Sequence, residues 1–432
     1  MNQKRLETSR LFHRFGFGPR PGEYAQALKD GVNVTRTKIT TAPATQTTIS
    51  PIALPVITDL GKRPEPNTPE VVPFALAMRS QEQQMGLWWL DMMALSDHGL
   101  TERMTWFWHG HWATSIQKLN YALPMYKQNQ TLRTHALGSF NTMTKAMLND
   151  GALQFWLDGQ DNTAKAPNEN LGRELMELFV LGVNRYSEDD VKAISRALTG
   201  YQVGRSSGVV TINPSRRDTK PVTLLGTTAS FTGDSLADFL VARDDCATFI
   251  SERLWYRFIS STEVMPASFK AKNAFATRDI SAAIKAMASD PSMQDTKYAL
   301  VKSPVEWFIS ACRALELTPS QLKTPAQLTN HLDKLGQVPF NPPNVGGWPA
   351  GEAWLSSATA QYRLAFAAWL IKQSNLNALN QIPQDTRVLK SADWLGVPEW
   401  SARTQSALRT ALDDPAQFAL RALCSPEYIV SA

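Results

Sequence analysis

The feature that most constrains the fold is a long helical signature, PNENLGRELMELFVLGVNRYSEDDVKAISRALTGY, at residues 167–201. Gly182 is placed to end a first helix, because glycine readily adopts the left-handed conformation that closes many helices. Ser187 and Asp190 then have the spacing of a capping box, with Asp in place of the usual Glu. The sequence therefore predicts an αα-hairpin whose second helix runs to about Gly200.

The same signature indicates which residues enter the core. Leu175, Leu178 and Phe179 share one face of the first helix, and we expect this face to be buried. Similar spacing recurs over most of the 432 residues. Two segments differ: residues 32–72 predict a long N-terminal loop, and residues 201–235 predict a small irregular or β insert. The predicted fold class is all-α, as a single large helical module spanning the whole chain.

Charge and hydropathy argue against two kinds of partner. The net charge is +5 and no block of Lys and Arg accompanies it, so no nucleic acid partner is indicated. No stretch is apolar for the length that a membrane span needs. The first residues lack the apolar run of a secretory leader, so the default expectation is a cytoplasmic protein. Export together with a partner that has a leader stays open.

Four stretches of the chain carry a resemblance to a known family. They are RLFHRFGFGPRPGE, LTERMTWFWHGHWATS with YKQNQTLRTHALGSF, the helical signature, and LVKSPVEWFISACRAL with FNPPNVGGWPAGEAWLSSATAQYRLAF. Together, in this order, they resemble the bacterial domain-of-unknown-function family 1800 (DUF1800). The resemblance implies a largely helical protein of one module, with no established catalytic activity.

The resemblance also implies a partner and a location. Members of the family often lie near genes for sulfatase-like proteins, which implies a sulfatase-like partner, and often have export leaders. This sequence departs from the family at the leader. It also has His109-Gly110-His111 where the family usually has His-Asn-His. Arg217-Asp218-Thr219-Lys220 replaces a segment that usually contains a His-Asp pair, which puts a metal or acid–base role for that insert in doubt.

The first helix of the hairpin carries candidate catalytic carboxylates. Asn170, Glu174 and Glu177 share one face, and Arg173 lies between this face and the apolar one. Carboxylates beside a core face are typical of carboxylate sites in helical proteins. The alternative is an ordinary ion-pair network around Arg173. Asn168 and Asn170 are candidate ligand-binding residues at the start of this helix.

His109 and His111 are candidate metal ligands. On a regular helix they lie about 200° apart and cannot bind one ion. A break at Gly110 would let both point the same way, with Glu174 or Glu177 as a third ligand to a divalent metal. We therefore expect one of the histidines to lie near one of these carboxylates. The alternative is two hydrogen-bonded histidines within an aromatic layer of the core.

The loop NPPNVGGWPAGEAW at residues 341–354 is a second candidate binding region. Its adjacent Pro-Pro and Gly-Gly pairs specify a backbone shape. Trp348 and Trp354 could then be exposed planes that stack on a sugar, with Asn344 or Glu352 binding hydroxyl groups. We expect at least one of the two indoles to border a cavity that also receives the His109 segment or the Glu174 helix. The alternative is a structural loop whose indoles fill the core.

These candidates support two hypotheses. The first is a metal- or carboxylate-dependent hydrolase acting on a glycan or on anionic envelope material, with Glu174, Glu177 and Arg173 as catalytic residues. The second is a non-catalytic binding or accessory protein that partners a sulfatase-like protein. If salt bridges of Arg173 fill the space beside Glu174 and Glu177, the second hypothesis is favoured over the first.

Overall fold

The N-terminal part of the chain forms three helices. The computed structural model describes residues 2–431. Its first helices are α1 (Gln3–Arg14), α2 (Glu23–Asp30) and α3 (Val32–Thr40). The predicted loop at residues 32–72 is therefore wrong at its start. Helix α3 packs against α1 and buries Thr35 and Thr40, and this packing overrides the weak helix propensity of Val and Thr.

An irregular segment and a group of helices follow. Residues 41–70 form no helix and no regular strand, and an isolated bridge joins Thr48 to Ser96. The next helices are α4 (Val71–Leu95), α5 (Gly99–His111), α6 (Ile116–Leu119), α7 (Ala122–His135), α8 (Phe140–Leu148) and α9 (Gly151–Trp156).

The predicted hairpin is present, with one change in its first helix. Helix α10 (Asn170–Glu174) continues as a π-helical turn, Leu175–Val180, and Gly182 follows with φ of 94°. Helix α11 (Glu188–Ala197) begins at Ser187, where both hydrogen bonds of the capping box with Asp190 are formed. The capping prediction is confirmed.

The π-helical turn changes which side chains are buried. Leu175 and Phe179 are fully buried, as predicted, but Leu178 is only partly buried. Met176 and Val180 are fully buried as well. In a π-helical turn each backbone hydrogen bond joins residues five positions apart instead of four. The face of the helix that meets the core is therefore rotated relative to that of a regular α-helix.

The insert after the hairpin consists of short antiparallel strand pairs. Strand β1 (Tyr201–Val203) pairs with β2 (Val210–Ile212), with Gln202 opposite Thr211. Strand β3 (Val222–Leu224) pairs with β4 (Thr227–Ala229), with Thr223 opposite Thr228.

The rest of the chain returns to helices. They are α12 (Gly233–Ala242), α13 (Asp244–Phe258), α14 (Lys270–Ala274), α15 (Ile280–Ala288), α16 (Pro304–Leu315), α17 (Pro325–Lys334), α18 (Ser357–Ile371), α19 (Asn377–Asn380), α20 (Arg387–Leu395), α21 (Ala402–Arg409), α22 (Pro415–Leu423) and α23 (Pro426–Ile429). Strand β5 (Leu300–Val301) pairs with β6 (Val430–Ser431). The described chain is thus mainly α, with only small strand pairs.

Helix α5 lies between two hydrophobic clusters. Trp108 and Trp112 belong to one cluster, and Trp106 and Trp348 belong to the other. Because α5 presents bulky aromatic side chains on opposite sides, it is buried along most of its length. Across residues 2–431, no helix combines the length and the apolar character required to span a membrane.

Candidate functional site

The two histidines of α5 face different parts of the core. The helix is regular through Gly110 and ends at His111, so the break required for a shared metal is not formed. His109 Nε2 accepts a hydrogen bond from the backbone N–H of Phe340 (3.1 Å). His111 Nε2 donates to the carbonyl oxygen of Phe179 (2.9 Å). Each imidazole thus uses one nitrogen to stabilise the backbone of a distant segment.

Burial keeps both imidazoles neutral. Desolvation lowers the pKa of His109 and of His111 to about 3. Among residues 2–431, no group of three or more His, Cys, Asp or Glu side chains is placed to hold a metal ion. His111 does approach the helix of the candidate carboxylates, through its bond to Phe179. The geometry therefore favours histidines within an aromatic layer, which was the alternative interpretation.

The candidate carboxylates are bound in separate ways. Arg173 forms two hydrogen bonds with Glu188 (both 2.8 Å) and one with Glu169 (3.0 Å). Glu177 accepts a hydrogen bond from the hydroxyl group of Tyr186. Burial, and then the neighbouring charge of Glu177, raises the pKa of Glu174. The guanidinium of Arg173 is thus part of a partly exposed ion-pair network.

The candidate asparagines shape the start of α10. Asn168 Oδ1 accepts a hydrogen bond from the backbone N–H of Asn170 (2.9 Å). The backbone N–H of Asn168 donates to Asn162 Oδ1 (2.9 Å), and Asn170 Nδ2 donates to Asp158 Oδ2 (3.3 Å). Side chains that bind backbone amides in this way are typical of helix starts and turns.

The indoles of the 341–354 loop are not exposed planes. Trp348 and Trp354 are each only 4% exposed. Trp348 stacks on Trp106, with ring centroids 5.0 Å apart and planes at 23°. The prediction of an exposed sugar platform is therefore wrong, because both rings complete the second hydrophobic cluster.

The glycines of this loop explain how Trp348 reaches the core. Gly347 has φ of 79°, and a Cβ atom there would lie 2.2 Å from the carbonyl oxygen of Gly110. Only glycine allows this approach of the loop to α5. Asn344 is exposed, and its Oδ1 accepts a hydrogen bond from the backbone N–H of Gly346 (2.9 Å), which stabilises the turn.

A basic cleft lies between this loop and α13. Its cavity has a volume of about 400 Å³, and its lining includes Arg253, Arg257, Tyr256, Gly346 and Trp348. Trp348 thus borders a cavity although it is only 4% exposed. Its remaining lining residues are Phe249 and Glu252.

Among residues 2–431, neither arginine of the cleft forms a salt bridge, although the charge of Glu306 acts on the pKa of Arg257. Within the described residues, no ion pair is formed by Arg253 and its buried Nε has no hydrogen-bond partner. Arg257 donates to the carbonyl oxygens of Trp348 and Pro349. Glu252, the acidic residue in the lining, pairs instead with Arg185 (3.2 Å). Desolvation lowers the pKa of Arg253, and lowers that of Arg257 to about 10.

The cleft connects to the aromatic layer around His111. The Phe249 ring lines the cleft and lies 6.1 Å from the His111 ring, measured between centroids. After desolvation, the charge of Arg253 is the next cause that lowers the pKa of His111. The Nδ1 atom of His111 is buried and has no partner within residues 2–431. His111 therefore lies beneath the cleft, behind Phe249.

A smaller cavity of about 30 Å³ shares Tyr256 and Arg257 with the cleft. It is lined on its other side by Trp354 and Lys302, among other residues. Burial lowers the pKa of Lys302 to about 7, and its ammonium group donates to the carbonyl oxygen of Tyr428. Arg257 thus separates two cavities that are both rich in basic groups.

Sequence reasoning missed this cleft although a signal was present. Arg253 and Arg257 are four residues apart on α13, where like charges repel each other on one helix face. No acidic residue stands four positions before Arg253 or four after Arg257. A pair of this kind concentrates positive charge on one face of the helix.

The geometry defines a mainly α-helical protein with a buried aromatic layer and a basic cleft beside it. A family model described as "Protein of unknown function (DUF1800)" matches residues 10–430, so the chain belongs to this family. No curated protein matches the chain, and no solved structure matches it.

Proposed function

We propose that the protein binds an oxyanion, carried by a sugar or a similar envelope component, in the cleft between α13 and the 341–354 loop. The observation that carries the proposal is the partly buried pair Arg253 and Arg257, which lines a cavity of about 400 Å³ and forms no salt bridge among residues 2–431. A guanidinium group donates in a planar fork that matches sulfate, phosphate and carboxylate oxygens.

The walls of the cleft support a ligand with a ring as well as an anionic group. Phe249, Tyr256 and Trp348 supply aromatic surface beside the two guanidinium groups. Small-molecule sites typically combine apolar walls with a few placed polar groups. A sulfated or phosphorylated sugar has both parts, and sulfate esters are also what a sulfatase-like partner would act on.

The contacts favour binding over hydrolysis. Arg173, a candidate catalytic residue, is held in ion pairs with Glu169 and Glu188. Neither Glu174 nor Glu177 lines the basic cleft. The lining of the cleft is mainly cationic and aromatic, and its carboxylate, Glu252, is paired with Arg185 (3.2 Å), so the cleft suits anion recognition.

The test is a titration with anions of increasing complexity. Calorimetry with inorganic sulfate, inorganic phosphate and a sulfated monosaccharide is expected to show saturable binding, tightest for the sugar. Arg253→Met is expected to weaken binding about tenfold or more, because hydrogen bonds to charged groups contribute about 1.5–3 kcal/mol. Arg409→Met, at an exposed arginine of α21, is the matched control. Equal affinities in the two variants would refute the proposal.

A hydrolase remains the second candidate because of one observation. The raised pKa of Glu174, beside Glu177 and its hydrogen bond to Tyr186, is the arrangement that a general acid with a second carboxylate requires. In this reading Glu174 is the general acid and Glu177 is the second carboxylate. Glu174→Gln and Glu177→Gln are expected to abolish turnover of a glycoside panel that the wild-type protein cleaves. Full turnover in both variants would exclude these roles.

A further inference from the structure

The small cavity of about 30 Å³ beside the cleft is surrounded by more positive than negative charge. Four of its lining side chains are basic, namely Arg14, Arg103, Arg257 and Lys302. Within residues 2–431, the carboxylate of Glu306 is the only one in its lining. His13 lines it too, but burial lowers the pKa of this imidazole well below its ordinary value, so the ring adds no charge at neutral pH.

The carboxylate of Glu306 is already bonded through both of its oxygens. One oxygen forms a salt bridge with Arg103, and the other accepts a hydrogen bond from the backbone N–H of Ser303 (3.0 Å). The other three basic groups form no salt bridge among residues 2–431, and each donates to backbone carbonyl oxygens. The charge of Glu306 acts on the pKa of Arg257 and of Lys302, so the positive charge of the cavity is compensated only in part.

Burial makes this excess of charge costly. Lys302 and Arg103 are each only 5% exposed, and a charged group loses its hydration when it is buried. The same cost lowers the pKa of Lys302 to about 7, because burial disfavours the ammonium form. Arginine keeps its proton at neutral pH, so the surroundings of the cavity stay positive in either form of Lys302. A small anion in the cavity would offset this charge.

The size of the cavity restricts which anion can enter. A cavity needs roughly 10–15 Å³ to hold one water molecule, so this one has room for about two. Sulfate and phosphate are several times larger than a water molecule and do not fit, whereas a halide ion is only slightly larger. Trp354 also lines the cavity, and its buried indole N–H has no hydrogen-bond partner among residues 2–431.

From the charge and the volume together, we infer that the small cavity binds one halide ion, chloride, among Arg103, Arg257, Lys302 and Trp354. The lining residues come from α1, α13, α16 and the strand pair β5–β6, so the ion stabilises contacts between segments that are far apart in sequence. Arg257 borders the cleft as well, but the oxyanion proposed there is too large for this cavity. The halide site therefore does not rest on the proposed function.

The direct test replaces chloride with bromide, whose anomalous scattering locates it in a crystal. Wild-type crystals soaked in sodium bromide are expected to show an anomalous peak in the small cavity. In solution, sodium chloride and sodium bromide are expected to raise the thermal midpoint saturably, by about 2 °C or more above sodium gluconate at the same ionic strength. Gluconate is too large to enter. Water alone in the cavity, or a bromide peak only in the cleft beside Arg253, would overturn the inference.

A variant of Lys302 tests whether its charge is required. Lys302→Gln keeps an N–H donor for the carbonyl oxygen of Tyr428 but removes the positive charge, and it is expected to weaken the halide response about tenfold or more. Lys390→Gln, at an exposed lysine of α20, is the matched control and should respond as the wild type does.

The outcome for this variant is separable from the outcome for the cleft. An unchanged halide response in Lys302→Gln would contradict the inference. If this variant does not fold, the bromide peak of the wild-type protein decides. Lys302 does not line the cleft, so sulfate binding there should persist in Lys302→Gln, and failure of the halide site would leave the oxyanion proposal standing.

Discussion

At the scale of single residues, local spacing predicted local bonds but not distant partners. Ser187 and Asp190 form the capping box that their spacing predicted, because both partners lie within one turn. The burial of Trp348 depends instead on Trp106, which is 242 positions earlier in the chain, and no local pattern carries that information. The basic cleft was missed for the same reason, because Arg257 meets the carbonyl oxygens of Trp348 and Pro349 only in the fold.

The buried histidines predict how stability depends on pH. The pKa of His111 is about 3 in the folded protein and near 6.5 as an ordinary value, so only the unfolded chain takes up a proton between these limits. Its contribution to the free energy of unfolding is present above about pH 6.5 and is lost as the pH falls toward 3. His111→Gln keeps an N–H donor for Phe179 but does not titrate.

Urea unfolding of this variant between pH 7 and pH 4 is the measurement. The free energy of unfolding rises with pH in this range. In His111→Gln this rise should be smaller than in the wild type, by up to about 1.4 kcal/mol per pH unit. His331→Gln, at a partly exposed histidine, is the control and should keep most of the slope. A wild-type slope in His111→Gln would show that this imidazole is not held neutral by burial.

At the scale of elements, the helical segments of the hairpin were predictable and the π-helical turn was not. Apolar residues at a spacing of three or four predict a helix, but one extra residue in the hydrogen-bond pattern leaves that spacing almost unchanged. Because of the extra residue in each hydrogen-bonded turn, Met176 is fully buried and Leu178 is only partly buried. Similarly, Val32–Thr40 became a helix through its packing on α1, which composition alone does not predict.

This turn gives an ordered prediction for core substitutions. Leu175→Ala should lower the free energy of unfolding by about 2–5 kcal/mol, because it leaves a cavity around a fully buried position. Leu178→Ala should cost about 1 kcal/mol, since part of that side chain already contacts solvent. Chemical denaturation of both variants measures the difference. Equal costs would mean that this segment is a regular α-helix in solution.

At the scale of the whole molecule, family membership and a mainly helical fold followed from the four motif stretches, and the family match over residues 10–430 confirms the former. The division of the chain into domains is harder to predict from the sequence, because it depends on contacts between distant segments. Helix α1 supplies such contacts. Arg5 pairs with Asp393 (2.5 Å), and Arg14 is buried and donates to carbonyl oxygens in three separate segments.

The last prediction concerns cooperativity. Arg14 bonds the carbonyl oxygens of Phe258, Tyr298 and Ser431, which belong to segments far apart in sequence. If the chain is a single module, these segments unfold together, and calorimetry should show one transition with equal calorimetric and van't Hoff enthalpies.

Arg14→Met removes these bonds, although Tyr298 keeps its hydrogen bond from Arg10 (2.9 Å), so it should lower the midpoint of the whole transition. Amide protection near all three acceptors should then fall together, because each loses a hydrogen bond to the same guanidinium group. Arg409→Met is again the control, since that side chain is exposed. Two separate transitions, only one of them shifted by Arg14→Met, would show instead that α1 belongs to one of two independent units.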